Sequence, residues 1–172
     1  VVYRYQRQYK SGLKRIEMTK NNKLRLQKLH ADYNKAKHPN FPEYALPKKS
    51  FNDNSTNGLT KCVIEFLNYS GHQAERISTT GRWIVDKGSV KGGYFIPGTG
   101  TKGSADISAT IKPTSLPFGV SVKIEIKYAK DRQSDVQKQY EQHIQSAGGV
   151  YIIVRDFDSF VKWYDNFMNY GV

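Results

Sequence analysis

Residues 120–154 constrain the fold of this chain more than any other stretch. Val122, Ile124 and Ile126 alternate with Lys123, Glu125 and Lys127. That period of two marks a strand with unlike faces. Ser134 and Gln137 then stand at the N-cap and N3 positions of a helix start, which is a capping-box pair. Val136, Tyr140, Ile144 and Ala147 keep one helical stripe, and Gly148-Gly149 closes it. Val150-Tyr-Ile-Ile-Val154 is apolar throughout, as expected of a strand covered on both faces. Strand, helix and strand in this order form a crossover unit, whose strands are expected to be parallel and its hand right.

The residues before this unit supply the rest of an α/β domain. Leu59, Val63, Phe66 and Leu67 form an apolar helical face, ended by Ser70-Gly71. His72 to Thr79 reads as a strand. Trp83-Ile-Val and Tyr94-Phe-Ile are short apolar runs on either side of the glycine-rich Gly88–Gly93. A tight loop, Pro97 to Gly103, feeds a β-branched run that begins at Asp106. A last helix is expected from about Ser159 to Asn169, burying Phe160, Val161, Tyr164 and Phe167. The order is α-β-β-β-α-β-α. If the runs after Asp106 and around Glu125 pair as a hairpin, the sheet is mixed and helices flank it. Asp106 then approaches Glu125, and both share a solvent-facing strand surface with Lys127.

Charge divides the chain unevenly. The 172 residues carry a net +12, but residues 1–50 hold 13 Lys and Arg against three acids, a net +10. The remainder holds 14 against 12, a net +2. Residues 1–55 are therefore read as a basic, helical and irregular extension, and 56–172 as the main domain. Tyr3, Tyr5 and Tyr9 alternate with Arg, Gln and Lys; they suit either base stacking or packing against the body. Leu26, Leu29 and Tyr33 keep a helical stripe in a basic segment, and Pro39, Pro42 and Pro47 exclude a regular helix beyond it. Such asymmetry points to a polyanion partner; a solvated basic tail is the plainer reading. No apolar run approaches the roughly 20 residues of a membrane span. The single cysteine, Cys62, excludes an internal disulfide framework and a cysteine zinc site. With no signal-peptide pattern, a cytoplasmic setting is expected.

Several formal motifs fail on context. Gly98-x-Gly100-x-x-Gly103 has dinucleotide-binding spacing, but a strand-like run comes next where that motif needs a helix. The glycines are better explained by close backbone approach to a neighbour or ligand. His30, His38, His72 and His143 show no metal-binding spacing. Cys62, without an indicated partner, reads as a packed structural thiol.

Asp106, Glu125 and Lys127 carry more. Carboxylates on adjacent strands supply hard oxygen ligands to a divalent cation, and the Ile126 backbone carbonyl offers a third. Such a cation neutralises phosphate charge and acidifies water. Lys127 beside it can orient water or stabilise a charged transition state. As a bare tripeptide, Glu-x-Lys is equally a solvated surface pair. Gln137 has two roles open to it, as the cap partner of Ser134 or as a group facing the site. Lys102, Lys130 and Arg132, in loops bordering the strands, suit phosphate contacts or ordinary surface charge alike.

The run G-S-A-D-I … K-I-E-I-K … D-R-Q-S-D-V-Q resembles the PD-(D/E)XK nuclease superfamily, in particular its small VRR-NUC type of phage and bacteria. The likeness spans about residues 57–156, with Ala105 where the family has proline. It implies a restriction-endonuclease-like core, α-β-β-β-α-β, and Mg²⁺- or Mn²⁺-dependent hydrolysis of DNA. By position it assigns metal binding to Asp106 and Glu125, catalysis to these with Lys127 and Gln137, and an accessory acidic role to Glu65. It further implies branched or structured DNA as substrate, a homodimer, and a bacterial or phage-infected cytoplasm or a virion as location. The competing expectation is a non-catalytic DNA-binding or virion-associated protein on the same fold.

Overall fold

The structure, a computed structural model, describes residues 17–78, 81–85, 92–98 and 100–170. The tyrosines at 3, 5 and 9 lie outside the described residues. In chain order the elements are α1 (Lys20–Lys37), a 3-10 turn (Glu43–Ala45), α2 (Thr56–Tyr69), β1 (Gln73–Arg76), β2 (Arg82–Ile84) and β3 (Tyr94–Ile96). Then come β4 (Ile107–Ile111), β5 (Val120–Ile126), α3 (Asp135–Ser146), β6 (Val150–Val154) and α4 (Phe157–Tyr170). The chain is α/β, and its central four-stranded sheet has the order β1-β4-β5-β6. β4 is antiparallel to β1 and β5, whereas β5 and β6 run parallel. The sheet is mixed, as the hairpin and crossover patterns require. β2 and β3 form a separate antiparallel ribbon.

Strand alternation sorts the two faces. Val122, Ile124 and Ile126 of β5, with Val150, Ile152 and Val154 of β6, join one core with Leu59, Val63, Phe66 and Leu67 of α2. α4 adds Phe157, Phe160, Val161, Trp163, Tyr164 and Phe167. Phe66 is the hub, with its ring edge-on to Phe157, Phe160 and Tyr164. Burial of one such ring stabilises by about 1.5–3 kcal/mol. α4 starts two residues before the expected Ser159, because Asp156 accepts the Ser159 amide at 2.7 Å and fixes the first turn there. α3 covers the opposite face of the sheet, where Tyr140 meets Tyr151 edge-on.

Residues 17–55 join the same core as the rest. Met18, Leu26 and Phe51 are buried within it. α1 is docked to α4 by two carboxylates. Asp158 accepts from the Thr19 amide and hydroxyl and from the Asn22 side chain, and so places a negative charge at the α1 N-terminus, where it is favoured. Asp165 takes both terminal nitrogens of Arg25 at 2.8 Å, and that guanidinium lies over the Phe66 ring. The described part of the 1–55 extension is thus a layer of the domain, with Lys20, Lys28, Lys35 and Lys37 left on its exposed face. Among the described residues, no helix is long and apolar enough to cross a membrane.

Candidate active site

Asp106, Glu125 and Lys127 meet at one end of the sheet. The β4–β5 register sets Ile107 beside Ile124, so Asp106 falls next to Glu125. The Asp106 side chain extends the sheet by one bond: its Oδ2 accepts the Ile126 amide at 2.8 Å. Its backbone carbonyl accepts the Ile77 amide at 2.8 Å, just past the end of β1. Asp106 is thereby tied to both neighbouring strands. The contact to Ile126 runs through that residue's amide; its carbonyl is the group the sequence suggested as a ligand.

Glu125 and Lys127 are not on a solvent-facing surface. They are 1% and 5% exposed, because α3 packs over the face that strand alternation assigns to polar residues. Burial of a carboxylate is tolerable when donors surround it. Glu125 Oε1 accepts from Lys127 Nζ at 2.9 Å and from Gln137 Nε2 at 2.6 Å. Oε2 faces the Tyr151 hydroxyl at 3.5 Å. Burial pushes the Glu125 carboxyl above its ordinary range; Lys127 pulls it back, and the nearby Asp106 charge pushes it up again. Burial alone lowers the Lys127 ammonium, but the Glu125 hydrogen bond and the charges of Glu125 and Asp131 outweigh it and leave it raised. Lys127 is therefore held in its charged form, a hydrogen-bond donor and positive charge beside Glu125.

Gln137 performs both roles the sequence left open. Its Oε1 accepts the Ser134 amide at 3.0 Å, closing the capping box, while Nε2 reaches Glu125. One planar amide links the start of α3 to the buried carboxylate. Gly103 fixes the same corner from the other side. Its φ is +78°, and a Cβ there would lie 2.7 Å from the Val136 carbonyl oxygen. Close backbone approach is the reason for glycine at that point of the loop.

Lys102, Lys130 and Arg132 are exposed in the loops before β4 and after β5. Glu65 is engaged elsewhere, paired with Lys49 between α2 and the segment after α1. Cys62 is buried, and its thiol is pushed up to about 12 mainly by burial, in keeping with a packed thiol. Sequence reasoning missed Tyr151 and Arg155. Tyr151 is the one polar side chain in an otherwise apolar strand, on the parity that faces α3. Arg155 donates to the Asp131 carbonyl at 3.1 Å and so ties down the loop beside Lys127.

The donor set fits a hard divalent cation. Asp106 and Glu125 stand at facing positions of β4 and β5, the pair of hard oxygen donors that such a cation would take. Among the described residues no three His, Cys, Asp or Glu gather at one point, so a further oxygen would come from backbone or water. Compared with known proteins, the chain matches no family model, no curated protein and no solved structure.

Proposed function

We propose that this chain is a divalent-metal-dependent nuclease with a restriction-endonuclease-like core, α2-β1-β4-β5-α3-β6, that hydrolyses DNA phosphodiesters. The observation that carries the reading is a buried Glu125 beside Asp106, with Lys127 and Gln137 both donating to the same oxygen. Surface ion pairs need no such burial, and a purely structural pair gains little from a second carboxylate next to it. Asp106 and Glu125 would hold Mg²⁺ or Mn²⁺, with the Ile126 carbonyl as a third oxygen. When bound, the cation supplies charge neutralisation at phosphate and a more acidic water.

The side chains supply the rest. Lys127 orients a water for in-line attack and stabilises the charge that grows on the phosphoryl oxygens. One P–O bond forms to the water oxygen as the other breaks; the water gives up one proton to solvent and the leaving oxygen takes one up. Gln137 holds Glu125 in one rotamer, so the carboxylate costs no reorganisation during the reaction. Lys102, Lys130 and Arg132 border the site as phosphate contacts, and the exposed lysines of α1 extend a sequence-independent attraction to the backbone.

Cleavage of duplex, single-stranded and four-way-junction DNA with Mg²⁺ or Mn²⁺ tests this. Wild type is expected to cut at least one substrate, and Asp106→Asn, Glu125→Gln and Lys127→Met to lower the rate by about 100-fold or more, an order-of-magnitude figure for lost electrostatic stabilisation. If wild type leaves every substrate intact with both metals, the enzyme reading fails, and the exposed basic face of α1 favours a non-catalytic DNA-binding protein.

A further inference from the structure

The ribbon of β2 and β3 has no role in the chemistry above. Trp83 pairs with Phe95 across it, Ile84 with Tyr94, and Arg82 with Ile96. Directly paired residues share a face, so Trp83 and Phe95 form one aromatic face and Tyr94 belongs to the other. Water reaches both faces: Trp83 is 59% exposed, Phe95 57% and Tyr94 56%. Three exposed rings on one short ribbon are more than scattered surface apolarity. Two glycines make room for them. A Cβ on Gly81 would meet the Phe95 ring at 2.3 Å, and one on Gly93 would meet the Trp83 indole nitrogen at 2.6 Å. The rings thus lie against bare backbone, and more than half of each stays open to water.

The position of the ribbon matters as much. It is inserted between β1 and β4, whose ends pair as Arg76 with Ile107. One foot comes after Ile77, whose amide binds the Asp106 carbonyl; the other returns through Lys102 to Asp106 itself. Arg76, Arg82 and Lys102, at the feet and on the ribbon, are all exposed. A second copy of a +12 chain is repelled by this surface, whereas a polyanion is drawn to it.

We propose that the ribbon is a stacking platform for unpaired bases of the nucleic acid whose backbone enters the Asp106–Glu125 site. The proposal rests on the nuclease reading and deepens it, naming single-stranded segments as the preferred substrate class. Every base has a π-face, so stacking needs no sequence. Bases within a duplex already stack on each other and offer none.

The test compares wild type with W83A/F95A and with W83F/F95Y, which keeps the rings. Anisotropy measures binding of labelled single-stranded DNA, single-stranded RNA and duplex DNA of equal length in EDTA, where no cleavage occurs. Trp83 reports directly, since the other tryptophan, Trp163, is buried. Single strands are expected to quench the exposed tryptophan. W83A/F95A is expected to lose about tenfold or more in single-strand affinity and about twofold or less for duplex, with W83F/F95Y close to wild type. The DNA and RNA arms show which strand is preferred. Circular dichroism verifies folding, and W83A alone serves if the double variant unfolds.

Equal losses on single strand and duplex, no loss, or no quenching would each overturn the platform. So would a variant that changes only self-association in sedimentation, which would mark the ribbon as a contact between copies. The two readings fail separately. Aromatic-dependent single-strand binding without cleavage of any substrate removes the enzyme and keeps the platform; metal-dependent cleavage with unaltered W83A/F95A binding does the reverse.

Discussion

Replacement of Lys127 by methionine isolates the energetics of the buried pair. Methionine keeps most of the stem and removes the ammonium. It leaves Glu125, 1% exposed, with the Gln137 amide at 2.6 Å and the Asp106 charge nearby. Removing one partner of a buried pair costs about 3–5 kcal/mol, because the remaining charge is uncompensated. The lower end applies here: the Gln137 donor stays in place, and Glu125 can take up a proton. A loss of about 3 kcal/mol corresponds to about 6–12 °C in Tm for a chain of this size. The sign of the pH dependence comes from the raised Glu125 carboxyl. A group with a raised folded value stabilises fully below its ordinary range, and that contribution disappears as pH climbs through the raised value. The K127M loss is therefore largest above the raised Glu125 value, while Lys127 keeps its charge, and shrinks on acidification as Glu125 neutralises. Urea and thermal unfolding of wild type, K127M, E125Q and the double variant measure the coupling, expected at about 1.5–3 kcal/mol. Single effects that add to within about 0.5 kcal/mol, or a K127M loss independent of pH, would refute the pairing energetics.

Further outcomes are expected at Gln137, Gly103 and His72. Gln137→Ala removes both the Ser134 and Glu125 bonds and should cost about 1–2 kcal/mol, read by urea unfolding. Gln137→Glu keeps the cap acceptor but sets a carboxylate against Glu125, so cleavage should fall while amide-exchange protection at the start of α3 survives. Gly103→Ala must hold a φ of +78° and set a Cβ against the Val136 carbonyl; it should cost more than the roughly 1–2 kcal/mol of the left-handed backbone alone, read as a lower urea midpoint. His72, 2.9 Å from the Tyr164 hydroxyl, is held below its ordinary value of 6.5 by burial. The unfolded chain takes a proton first, so stability should decline as pH drops below that value; urea midpoints from about pH 8 to pH 5 should decline less in His72→Gln.

Much of this architecture is legible in the residues. Alternation in β5, the cap of α3 and the apolar run of β6 specify the parallel crossover, since each arises from local periodicity. The pairing of Asp106 with Glu125 comes from two adjacent strand patterns. The depth of the site is not legible. Alternation assigns Glu125 and Lys127 to the polar face but is silent on whether a helix covers it. The apolar stripe of α3 also misleads. Val136 is exposed, and the buried residue of that helix is Glu141, bonded to Gln133 at 2.8 Å. Hydrophobic periodicity cannot reveal a helix that packs through a polar seam. The docking of α1 was hidden for another reason. Its anchors, Asp158 and Asp165, lie in the last helix, and nothing near α1 in sequence announces them.

The hydrogen bond from the Ile126 amide to the Asp106 carboxylate makes that aspartate a structural acceptor as well as a charge. Truncation to alanine orphans a strand amide, so an alanine scan would mistake a fold defect for a catalytic one. Asparagine preserves the acceptor and discards the charge. On the proposed nuclease reading, a descendant of this chain that gave up cleavage and kept its shape would be free to drift at Lys102 or Arg132, yet at position 106 its accessible path is narrow, and it leads through asparagine.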